Sequence, residues 1–242
     1  MLVSVITICF NSENCIAKTI ESVLNQTYPE VEYIIIDGAS SDATVSIAES
    51  YMPQFEQKGY AYKIISEPDQ GIYDAMNKGI KNATGSLIGI INSGDWYENT
   101  AVSTAVENLP FDLFFADVNL IKPSGTVITK HSRMDAFPSS RHWNHPTMFV
   151  KKETYDALGL YKCRGIHDDF EFYLRARKAG VKIKIENTVL ANFQTGGASN
   201  DKSFKKCMRR IKDRYEAYRV NGFGLLSILE CVGIEAAKFI LS

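Results

Sequence analysis

The amino-acid sequence predicts an α/β fold in which helices cover a mostly parallel β-sheet. Three observations support this prediction. Between Leu2 and Ile91, apolar segments rich in Val and Ile alternate with segments whose apolar residues recur at helical spacing. The apolar segments are continuous, as in strands buried on both faces of a parallel sheet. Several of them end abruptly in polar residues, and the carboxyl ends of parallel strands are where such folds bind ligands.

The first half of the chain repeats the strand–helix unit without interruption. Its first strand stops at Asn11-Ser12, a helix-start signal, and Tyr28-Pro29 ends the helix that follows. Right-handed crossovers between such units place successive strands in parallel. In chain order, the predicted elements are a strand over 2–10, a helix that ends before residue 28, a strand over 31–36, a helix over 43–51, a strand over 60–66, a helix over 70–83 and a strand over 87–91.

After Asp95 the regular alternation stops, and the second half is predicted to elaborate the same sheet. Pro123-Ser124-Gly125 indicates the turn of a β-hairpin, and Gly180 ends a helix. No linker rich in Pro, Gly or Ser separates the two halves. The predicted elements are a helix over 99–109, hairpin strands over 113–121 and 126–130, a strand over 146–150, a short helix over 153–158, a helix over 170–179 and strands over 181–185 and 189–193.

Composition and charge limit the classes of function. Of the 242 residues 45% are hydrophobic, which suffices for a core, and the net charge of −1 gives no reason to expect a nucleic-acid partner. The five cysteines lack the spacing of a zinc site, and their odd number is not typical of a disulfide framework, so we expect a reducing, cytoplasmic compartment. The N-terminal apolar run has no preceding basic segment and no cleavage signal, which predicts a strand rather than a signal peptide.

The polar residues at the strand ends favour a nucleotide diphosphate bound together with a divalent cation. The turn after the first strand, Asn11 to Asn14, is not the glycine-rich turn of a dinucleotide site, and the chain has neither a Walker P-loop nor a G-x-S-x-G nucleophile elbow. Asp37 follows the second strand and can accept hydrogen bonds from a base or a ribose. Asp95 follows the strand over 87–91 and can bind Mg²⁺ or Mn²⁺, which prefer oxygen ligands.

A set of short motifs occurs in a fixed order along the chain. They are Thr7-x-x-Phe10-Asn11, Asp37-Gly38-Ala39-Ser40-x-Asp42, Glu67-Pro68-Asp69-x-Gly71-Ile72-Tyr73-Asp74-Ala75-Met76-Asn77-Lys78-Gly79, Asn92-Ser93-Gly94-Asp95, Gly159-x-Tyr161, Asp168-Asp169-Phe170, Arg175 and Gly196-Gly197-x-Ser199. This ordered set resembles family 2 glycosyltransferases of the GT-A fold, a Rossmann-like fold, over residues 1–200. The stretch from Gly71 to Gly79 is its most specific part. One departure is that Gly94 precedes Asp95, so the usual first acid of the D-x-D motif is absent.

The resemblance implies a role for each matching residue. Asp169 would be the catalytic base that removes a proton from an acceptor hydroxyl, and direct displacement would invert the anomeric centre. Asp95 would hold a divalent metal ion, Mn²⁺ or Mg²⁺, with fewer protein ligands than a full D-x-D provides. The nucleoside would contact Thr7, Phe10, Asn11, Asp37 and Ser40; the rest of the nucleotide-sugar would contact Asp69, Gly71, Asp74, Asn77, Lys78, Asn92 and Ser93; the acceptor side would contain His145, Asp168 and Gly197.

Several of these residues have a structural alternative. Asp37 could hold the turn that follows it, and Asp95 could cap a helix. Asp74 and Lys78 have the i, i+4 spacing of a salt bridge. Asn77 could point to solvent. His145 could be a hydrogen-bonded core or rim residue rather than a ligand-binding one.

Two adjacent carboxylates, Asp168 and Asp169, compete for the catalytic role. One of them can cap the helix that contains Phe170, Phe172 and Leu174, which leaves the other to face the crevice. We assign the cap to Asp168 and the proton transfer to Asp169, with the reverse assignment as the alternative.

The C-terminal segment 201–242 differs from the rest in charge, since residues 201–220 contain eight Lys and Arg against three acidic residues. Two amphipathic helices are predicted. In the first, an apolar stripe contains Phe204, Met208, Ile211, Tyr215 and Tyr218, and the solvated face contains Lys205, Lys206, Arg209, Arg210, Lys212 and Arg214. In the second, one face contains Leu225, Leu229, Val232, Ala236, Phe239 and Ile240, opposite Glu230, Glu235 and Lys238. A basic amphipathic helix favours peripheral contact with an anionic membrane, and the alternative is packing or dimerisation.

The sequence therefore predicts an inverting glycosyltransferase that uses a nucleotide-diphosphate sugar. The predicted organisation is a glycosyltransferase domain over 1–200, with a nucleotide-sugar half (1–98) and an acceptor half (99–200), followed by basic helices over 201–242. We expect a lipid-linked saccharide acceptor at the inner face of a bacterial membrane, as in surface polysaccharide biosynthesis. The alternatives are a nucleotidyltransferase on a similar fold and a non-catalytic subunit that binds sugar nucleotides.

Overall fold

A mixed β-sheet of nine strands forms the centre of the computed structural model, which describes residues 1–196 and 203–240. Four parallel strands make its first half: β1 (Val3–Cys9), β2 (Val31–Asp37), β3 (Ala61–Ser66) and β4 (Leu87–Ile90). Their spatial order is β3-β2-β1-β4. The carboxyl ends of these strands therefore lie along one edge of the sheet, and the predicted α/β class is confirmed.

Both faces of this parallel part are buried, which explains why its central strands are apolar throughout. Ile6 and Ile8 of β1 pack with helix α4 (Ile72–Asn82), whereas Val3 and Val5 face the opposite side of the sheet, where α1 (Ile16–Leu24) packs. Helix α4 lies so close to the sheet that a Cβ atom added to Gly79 would collide with Ile6. Because Gly79 has no side chain, α4 can pack closely against β1.

Five further strands extend the sheet beyond β4. They are β5 (Trp96–Tyr97), β6 (Leu113–Ile121), β7 (Val127–Lys130), β8 (Phe149–Lys151) and β9 (Ile183–Gln194). The order continues β4-β8-β6-β9-β5, and β7 pairs with β6. β8 is antiparallel to β4 and to β6, whereas β9 is parallel to β6. Because β5 pairs with β9 and directly follows Asp95, the end of β9 lies beside the strand edge that carries Asp95.

The structure departs from the predicted elements in the following ways. β9 is one strand instead of two, because an irregular register opposite Ala116 and Asp117 absorbs residues 187–188. The segment predicted as a strand over 146–150 is a 3-10 turn (His145–Thr147) followed by β8. Helix α2 (Thr44–Ser50) is followed directly by a further helix, α3 (Met52–Lys58). Neither α3 nor β5 is among the predicted elements.

The remaining helices are α5 (Ala101–Glu107), α6 (Lys152–Leu158), α7 (Asp168–Ala179), α8 (Phe204–Val220) and α9 (Ser227–Ile240). The last two pack onto the sheet-bearing part of the chain, since Ala217, Tyr218 and Cys231 belong to the hydrophobic cluster that contains Ile6. None of the helices described in 1–196 and 203–240 is long and apolar enough to cross a membrane.

The predicted solvated face of α8 is wrong at two positions. Arg210 and Arg214 are 5% and 3% exposed, and both bind Glu235 of α9, at N–O distances of 2.7 and 3.2 Å. Two buried guanidinium groups require a counter-charge, and Glu235 supplies it from inside the helix pair. In contrast, Phe204 and Met208 of the predicted apolar stripe are 77% and 47% exposed.

Helix α9 and the turn before it present apolar residues to solvent and place a charged residue inside. Leu225, Leu229 and Val232 are 79%, 67% and 47% exposed, whereas Glu235 is 1% exposed. The predicted division of the helix into two faces holds for these residues, but the apolar face points away from the protein. The side chains of Lys238, Phe239 and Ile240 lie outside the described part of the chain.

Candidate active site

Two loops at the carboxyl ends of β1 and β2 are joined by hydrogen bonds. Asn11 has a φ of 46°, a conformation that Asn tolerates, and its N–H donates to Ser40 Oγ at 2.7 Å. Its Oδ1 accepts the N–H of Ser41 at 3.0 Å. Phe10 is 62% exposed beside them. Three of the predicted nucleoside contacts, Phe10, Asn11 and Ser40, thus lie together on the surface of this strand edge.

The other two predicted nucleoside residues are buried. Thr7 is inaccessible to solvent, and its hydroxyl accepts a hydrogen bond from Tyr33 at 2.9 Å. Asp37 is equally buried, and its carboxylate accepts the Ser40 N–H at 2.9 Å and the Ser66 hydroxyl at 2.6 Å. Asp37 therefore holds the turn, which is its structural alternative. Direct contact of Thr7 or Asp37 with a nucleoside stays a prediction.

The loop that begins the Glu67–Gly79 motif packs against this turn. Asp69 lies so near Gly38 that a Cβ atom on Gly38 would collide with Asp69 Oδ2. Asp69 Oδ1 accepts the N–H of Gly71 at 2.8 Å, and Gly71 has a φ of 116°, which side chains disfavour. Asp69 and Gly71 are therefore brought to the same edge as the loops after β1 and β2. Gly38 is needed for the close approach of Asp69, and Gly71 for its positive φ.

Helix α4 carries an ion pair on one flank. Asp74 and Lys78 are 3.7 Å apart, as their spacing predicts, and Lys78 also binds Glu67 at 3.0 Å. The Lys78 ammonium further donates to the Pro68 carbonyl at 2.7 Å. Lys78 thus closes the loop over the start of the helix. A contact between this flank and a nucleotide-sugar stays a prediction.

A second flank of α4 binds a loop from the second half of the chain. Asn77 is 8% exposed; its Nδ2 donates to the Tyr161 carbonyl at 2.9 Å, and its Oδ1 accepts the Tyr161 N–H at 3.0 Å. Both ends of the amide are therefore occupied by one backbone segment. Exposure of Asn77 to solvent is therefore wrong, whereas its contact with the nucleotide-sugar stays a prediction. Sequence spacing could not reveal this placement, because the partner lies 84 residues away.

Asp95 lies at the end of β4 and is only 5% exposed. Its Oδ1 accepts the N–H of Gln194 at 2.9 Å, and within the described part of the chain Oδ2 accepts no hydrogen bond. Burial with so little compensation raises the pKa of this carboxyl to about 7. No helix begins directly after Asp95, because β5 begins at Trp96. The helix-cap alternative is therefore wrong.

The residues just before Asp95 are also polar and partly buried. Ser93 shares a hydrogen bond of 2.8 Å with Ser12, which ties the end of β4 to the loop after β1. Asn92 Oδ1 is buried and has no hydrogen-bond partner among the described residues. A buried oxygen without a donor is unusual in a folded protein. Asn92 and Asp95 therefore offer unoccupied oxygen atoms in the same short turn.

A divalent ion fits this turn as a minimal site. In residues 1–196 and 203–240, no three His, Cys, Asp or Glu side chains are grouped so that they could hold a metal. However, Mg²⁺ is often bound by one or two carboxylates, with water and substrate phosphates completing its shell. Asp95 satisfies that requirement, and Asn92 Oδ1 is a further oxygen. The donor set thus suits an ion that binds together with a diphosphate.

Asp169 lies at the start of α7, in the second half of the chain. Its Oδ1 accepts hydrogen bonds from the Tyr73 hydroxyl and from the Phe170 N–H, both at 2.8 Å. No described residue donates to its Oδ2. One oxygen is thus fixed by two donors, and the other remains available to a ligand.

Asp168 is in a different environment from its neighbour. It is 6% exposed, and its Oδ2 accepts the N–H of Arg164 at 2.6 Å. Burial raises the pKa of the Asp168 carboxyl. The residue holds the loop before α7, rather than capping the amides of α7 itself. The predicted helix cap at Asp168 is therefore wrong, and the assignment of proton transfer to Asp169 stays a prediction.

A pocket with a volume of about 220 Å³ adjoins Asp169. His145 is 8% exposed on its wall, 3.4 Å from the Tyr161 hydroxyl, and burial lowers its pKa. Lys130 donates to the carbonyls of Ser140 and Trp143 at 3.1 and 2.8 Å. The pocket is lined by Val118, Leu120, Lys130, Ser140, Trp143, Asn144, His145, Pro146, His167, Asp169, Phe170, Phe193 and Arg214.

The end of β9 connects the two halves of the site. Gln194 binds Asp95, and its neighbour Phe193 lines the pocket of Asp169. The two carboxylates therefore lie next to the same strand end. The predicted acceptor residue Gly197 lies outside the described residues.

Four residues around Asp169 are absent from the predicted site: Tyr73, Lys130, Trp143 and Arg214. Tyr73 belongs to the Gly71–Gly79 stretch, the most specific motif of the sequence. Its place in that motif is a signal from which it could have been predicted as a site residue. The other three come from β7, a loop and α8, and only the fold brings them together.

The chain is similar to known proteins in sequence and in fold. The sequence model for Glycosyl transferase family 2 matches residues 4–176, which include every predicted site residue except Gly197. An uncharacterized glycosyltransferase of Mycobacterium tuberculosis H37Rv is 32% identical over 235 residues, 91% of this chain and 86% of the relative. A PGL/p-HBAD biosynthesis glycosyltransferase of Mycobacterium bovis BCG is 26% identical over 216 residues, 86% of this chain and 83% of the relative.

Two solved structures share the fold. Staphylococcus aureus TarS 1–349 in complex with UDP-GlcNAc has a TM-score of 0.70 at 18% identity and covers 91% of this chain, which spans 65% of that TarS chain. The mannosyltransferase PcManGT from Pyrobaculum calidifontis, in complex with GDP-Man and Mn²⁺, has a TM-score of 0.70 at 16% identity, covering 99% of this chain and 74% of its own. At these identities the likeness shows the fold alone.

Proposed function

Since this chain belongs to glycosyltransferase family 2 and is a glycosyltransferase of the GT-A fold, we propose that it moves a sugar from a nucleotide-diphosphate donor to an acceptor hydroxyl with inversion. The observation that carries this proposal is the Asp169 carboxylate. Two donors fix its Oδ1, while its Oδ2 is left for a proton at the wall of a pocket next to the strand edge. That arrangement suits a general base.

The donor is placed along the carboxyl edge of β1, β2 and β4. Phe10, Asn11, Ser40 and Asp69 form the nucleoside end, and the diphosphate lies toward Asp95. The names of two structural neighbours, with UDP-GlcNAc and GDP-Man, support a sugar nucleotide as the donor class. A divalent ion, when bound at Asp95, would stabilise the charge on the departing diphosphate. In this proposal residues 1–98 are the donor half and residues 99–200 the acceptor half.

The transfer step follows from the placement of Asp169. Its Oδ2 takes the proton of the acceptor hydroxyl while that oxygen forms a bond to the anomeric carbon. The bond from the anomeric carbon to the diphosphate oxygen breaks, and its electron pair leaves with the diphosphate. Because the incoming oxygen and the leaving group lie on opposite sides of the ring, the anomeric configuration inverts. Tyr73 orients the base by holding its other oxygen.

We propose a lipid-linked saccharide as the acceptor, in bacterial surface polysaccharide biosynthesis at the inner face of the membrane. The supporting observation is the outward apolar face formed by Leu225, Leu226, Leu229 and Val232, which we call the α9 face. The exposed charged residues among positions 203–237 are mostly basic, namely Lys205, Lys206, Arg209, Lys212 and Arg219, and the half-exposed Glu216 pairs with Arg219. Exposed leucines beside basic residues suit the surface of an anionic bilayer.

Vesicle binding tests the membrane contact. The protein should co-sediment with phosphatidylglycerol-containing vesicles more than with pure phosphatidylcholine, and Leu225→Glu with Leu229→Glu should abolish the difference. A matched control is Val127→Glu with Ile128→Glu, because these β7 residues are also exposed, at 53% and 44%, but lie elsewhere. Unchanged vesicle binding by the leucine variant would rule the contact out. Dimer loss in that variant would instead assign the face to a second copy of the chain.

A thermal-shift panel of UDP-, GDP- and dTDP-sugars, with and without Mn²⁺, tests the donor. A donor that stabilises the protein only with Mn²⁺ would identify both nucleotide and ion. Because the usual first acid of the D-x-D motif is absent before Gly94-Asp95, one rival is a subunit that binds sugar nucleotides without turnover. Hydrolysis of the bound donor in the absence of an acceptor would exclude that rival. A nucleotidyltransferase would instead release pyrophosphate from a nucleoside triphosphate.

A further inference from the structure

The pocket beside Asp169 contains more buried N–H donors than a general base requires. We propose that this pocket binds an anionic group of the acceptor, a phosphate or a carboxylate, through Arg214, Lys130 and Trp143. The inference rests on the proposed function, in which this pocket receives the acceptor. It adds a chemical class to that acceptor and assigns a ligand-binding role to α8.

Two of the three residues have an N–H group without a partner. Trp143 is 5% exposed, and its indole Nε1 makes no hydrogen bond to any described residue. Arg214 is 3% exposed, and its Nε likewise lacks an acceptor within the described part of the chain. Buried donors in folded proteins are almost always paired, so two orphans on the wall of one pocket point to a missing acceptor. An oxyanion entering the pocket would supply acceptor atoms to both.

The charges around the pocket favour an anion. Lys130 and Arg214 are the Lys and Arg residues that line the pocket, and Asp169 is the lining carboxylate, which leaves one positive charge in excess among these three groups. Glu235, which binds Arg214, is not among the lining residues. Burial, reinforced by Arg214 and opposed by Asp169, lowers the pKa of Lys130 to about 8. Lys130 therefore remains largely protonated at neutral pH. Such buried cations are stabilised by an anionic partner.

Arg214 is held in position by an ion pair with Glu235 of α9. Glu235 of α9 binds its Nη1 at 3.2 Å and also binds Arg210 at 2.7 Å. Lys130 is held in the same way by the carbonyls of Ser140 and Trp143. The donors are thus preorganised, which reduces the entropy lost on binding. Because Arg214 lies beyond the family match of residues 4–176, this part of the pocket is a property of this chain's C-terminal helices.

The two tryptophans provide separate reporters for the two halves of the site. Trp143 lines the acceptor pocket, whereas Trp96 follows Asp95, with the Lys18 ammonium 3.1 Å from its ring centre. We suggest titrating ¹⁵N-labelled full-length protein at pH 7 with inorganic phosphate, glucuronate and glucose while following both indole N–H resonances. Trp96→Phe assigns them. The expected result is a saturable shift of Trp143 with phosphate or glucuronate and none with glucose.

Variants identify the binding groups. Arg214→Gln should weaken the affinity for the anion, measured from the Trp143 shift, by about tenfold, the size expected for one charge-assisted hydrogen bond. Since Arg214 is part of a buried ion cluster, the spectrum itself reports whether this variant is folded. If it is not, Lys130→Gln is the second test, with the same expected loss. Phosphate that binds only at the carboxyl edge of β1, β2 and β4 would shift the Trp96 resonance alone, and this result would overturn the proposal. A Trp143 shift of equal size with glucose would overturn it as well.

The two proposals fail in different ways. In one outcome, transfer proceeds equally well to neutral and anionic acceptors, and no anion shifts the Trp143 indole resonance. The glycosyltransferase mechanism then stands and the anion site is wrong. If Trp143 responds to anions but Asp169→Asn keeps full transfer activity, the anion site stands and the base assignment is wrong. A preference for phosphate over glucuronate would identify a phosphorylated acceptor, and the reverse a uronate.

Discussion

The two carboxylates that flank the end of β9 have opposite environments. Asp95 is 5% exposed and receives one backbone hydrogen bond, so burial raises its pKa to about 7. Asp169 is partly exposed at a pocket, and two donors hold one of its oxygens. A buried carboxylate without compensating donors favours a cation as its partner. A carboxylate fixed by donors on one oxygen favours proton transfer at the other.

The largest expected effect separates Asp169 from its neighbour. Asp169→Asn keeps the shape of the side chain but cannot accept the acceptor proton, so the rate of sugar transfer should fall about 10²–10⁴-fold. Asp168→Asn is the matched control. It retains an oxygen for the Arg164 N–H and should keep transfer within about tenfold of the parent. Equal losses in both variants would mean that the assignment of roles is wrong.

The second effect concerns the metal at the other carboxylate. In Asp95→Asn, a neutral amide replaces the only carboxylate of the turn, so Mn²⁺ should no longer tighten donor binding. Isothermal titration of the donor with and without Mn²⁺ measures this dependence. The parent should show a gain with Mn²⁺ that the variant lacks. An unchanged gain in the variant would place the ion elsewhere.

The same substitution should change stability in a pH-dependent way. Folded Asp95 has a pKa of about 7, above its unfolded value of 3.8, so the folded state loses stability as pH rises between those values. Removing the titrating group should therefore stabilise the metal-free protein increasingly from pH 5 to pH 8, by on the order of 3 kcal/mol at pH 8. Urea unfolding in EDTA at both pH values measures this. A variant less stable than the parent at pH 8 would contradict the assigned environment.

The smallest effect tests how Asp169 is oriented. Tyr73→Phe removes the hydroxyl that binds Asp169 Oδ1 at 2.8 Å, and the turnover number should fall about tenfold. Because Tyr73 acts through the base, the pH at which the rate becomes half-maximal should also change, while the donor KM stays constant. A purely structural role for Tyr73 would lower the amount of folded enzyme without moving the pH profile.

Local sequence signals predict the first half of the sheet well. In β1, β2 and β4 the apolar residues are continuous because both faces are buried, and the polar residues that follow them converge on one edge. The Asp74–Lys78 pair follows directly from helical spacing. Each of these features depends on neighbours in the chain or on the regular geometry of a parallel sheet.

The second half of the chain depends on long-range contacts that local patterns do not encode. Asn77 and Tyr73 share the spacing of Asp74 and Lys78, yet their partners lie 84 and 96 residues away. The outward turn of α9 is a similar case, since the burial of Glu235 is decided by two arginines on another helix. Periodicity divides a helix into faces, but packing decides which face is buried.

The most direct test of the separation between the two carboxylates is the donor affinity of Asp169→Asn in the presence of Mn²⁺. If Asp95 serves the donor and Asp169 serves only the acceptor proton, this variant should bind the donor within about twofold of the parent. A loss of donor binding as large as that of Asp95→Asn would contradict the account, because it would show that both carboxylates act on the same ligand.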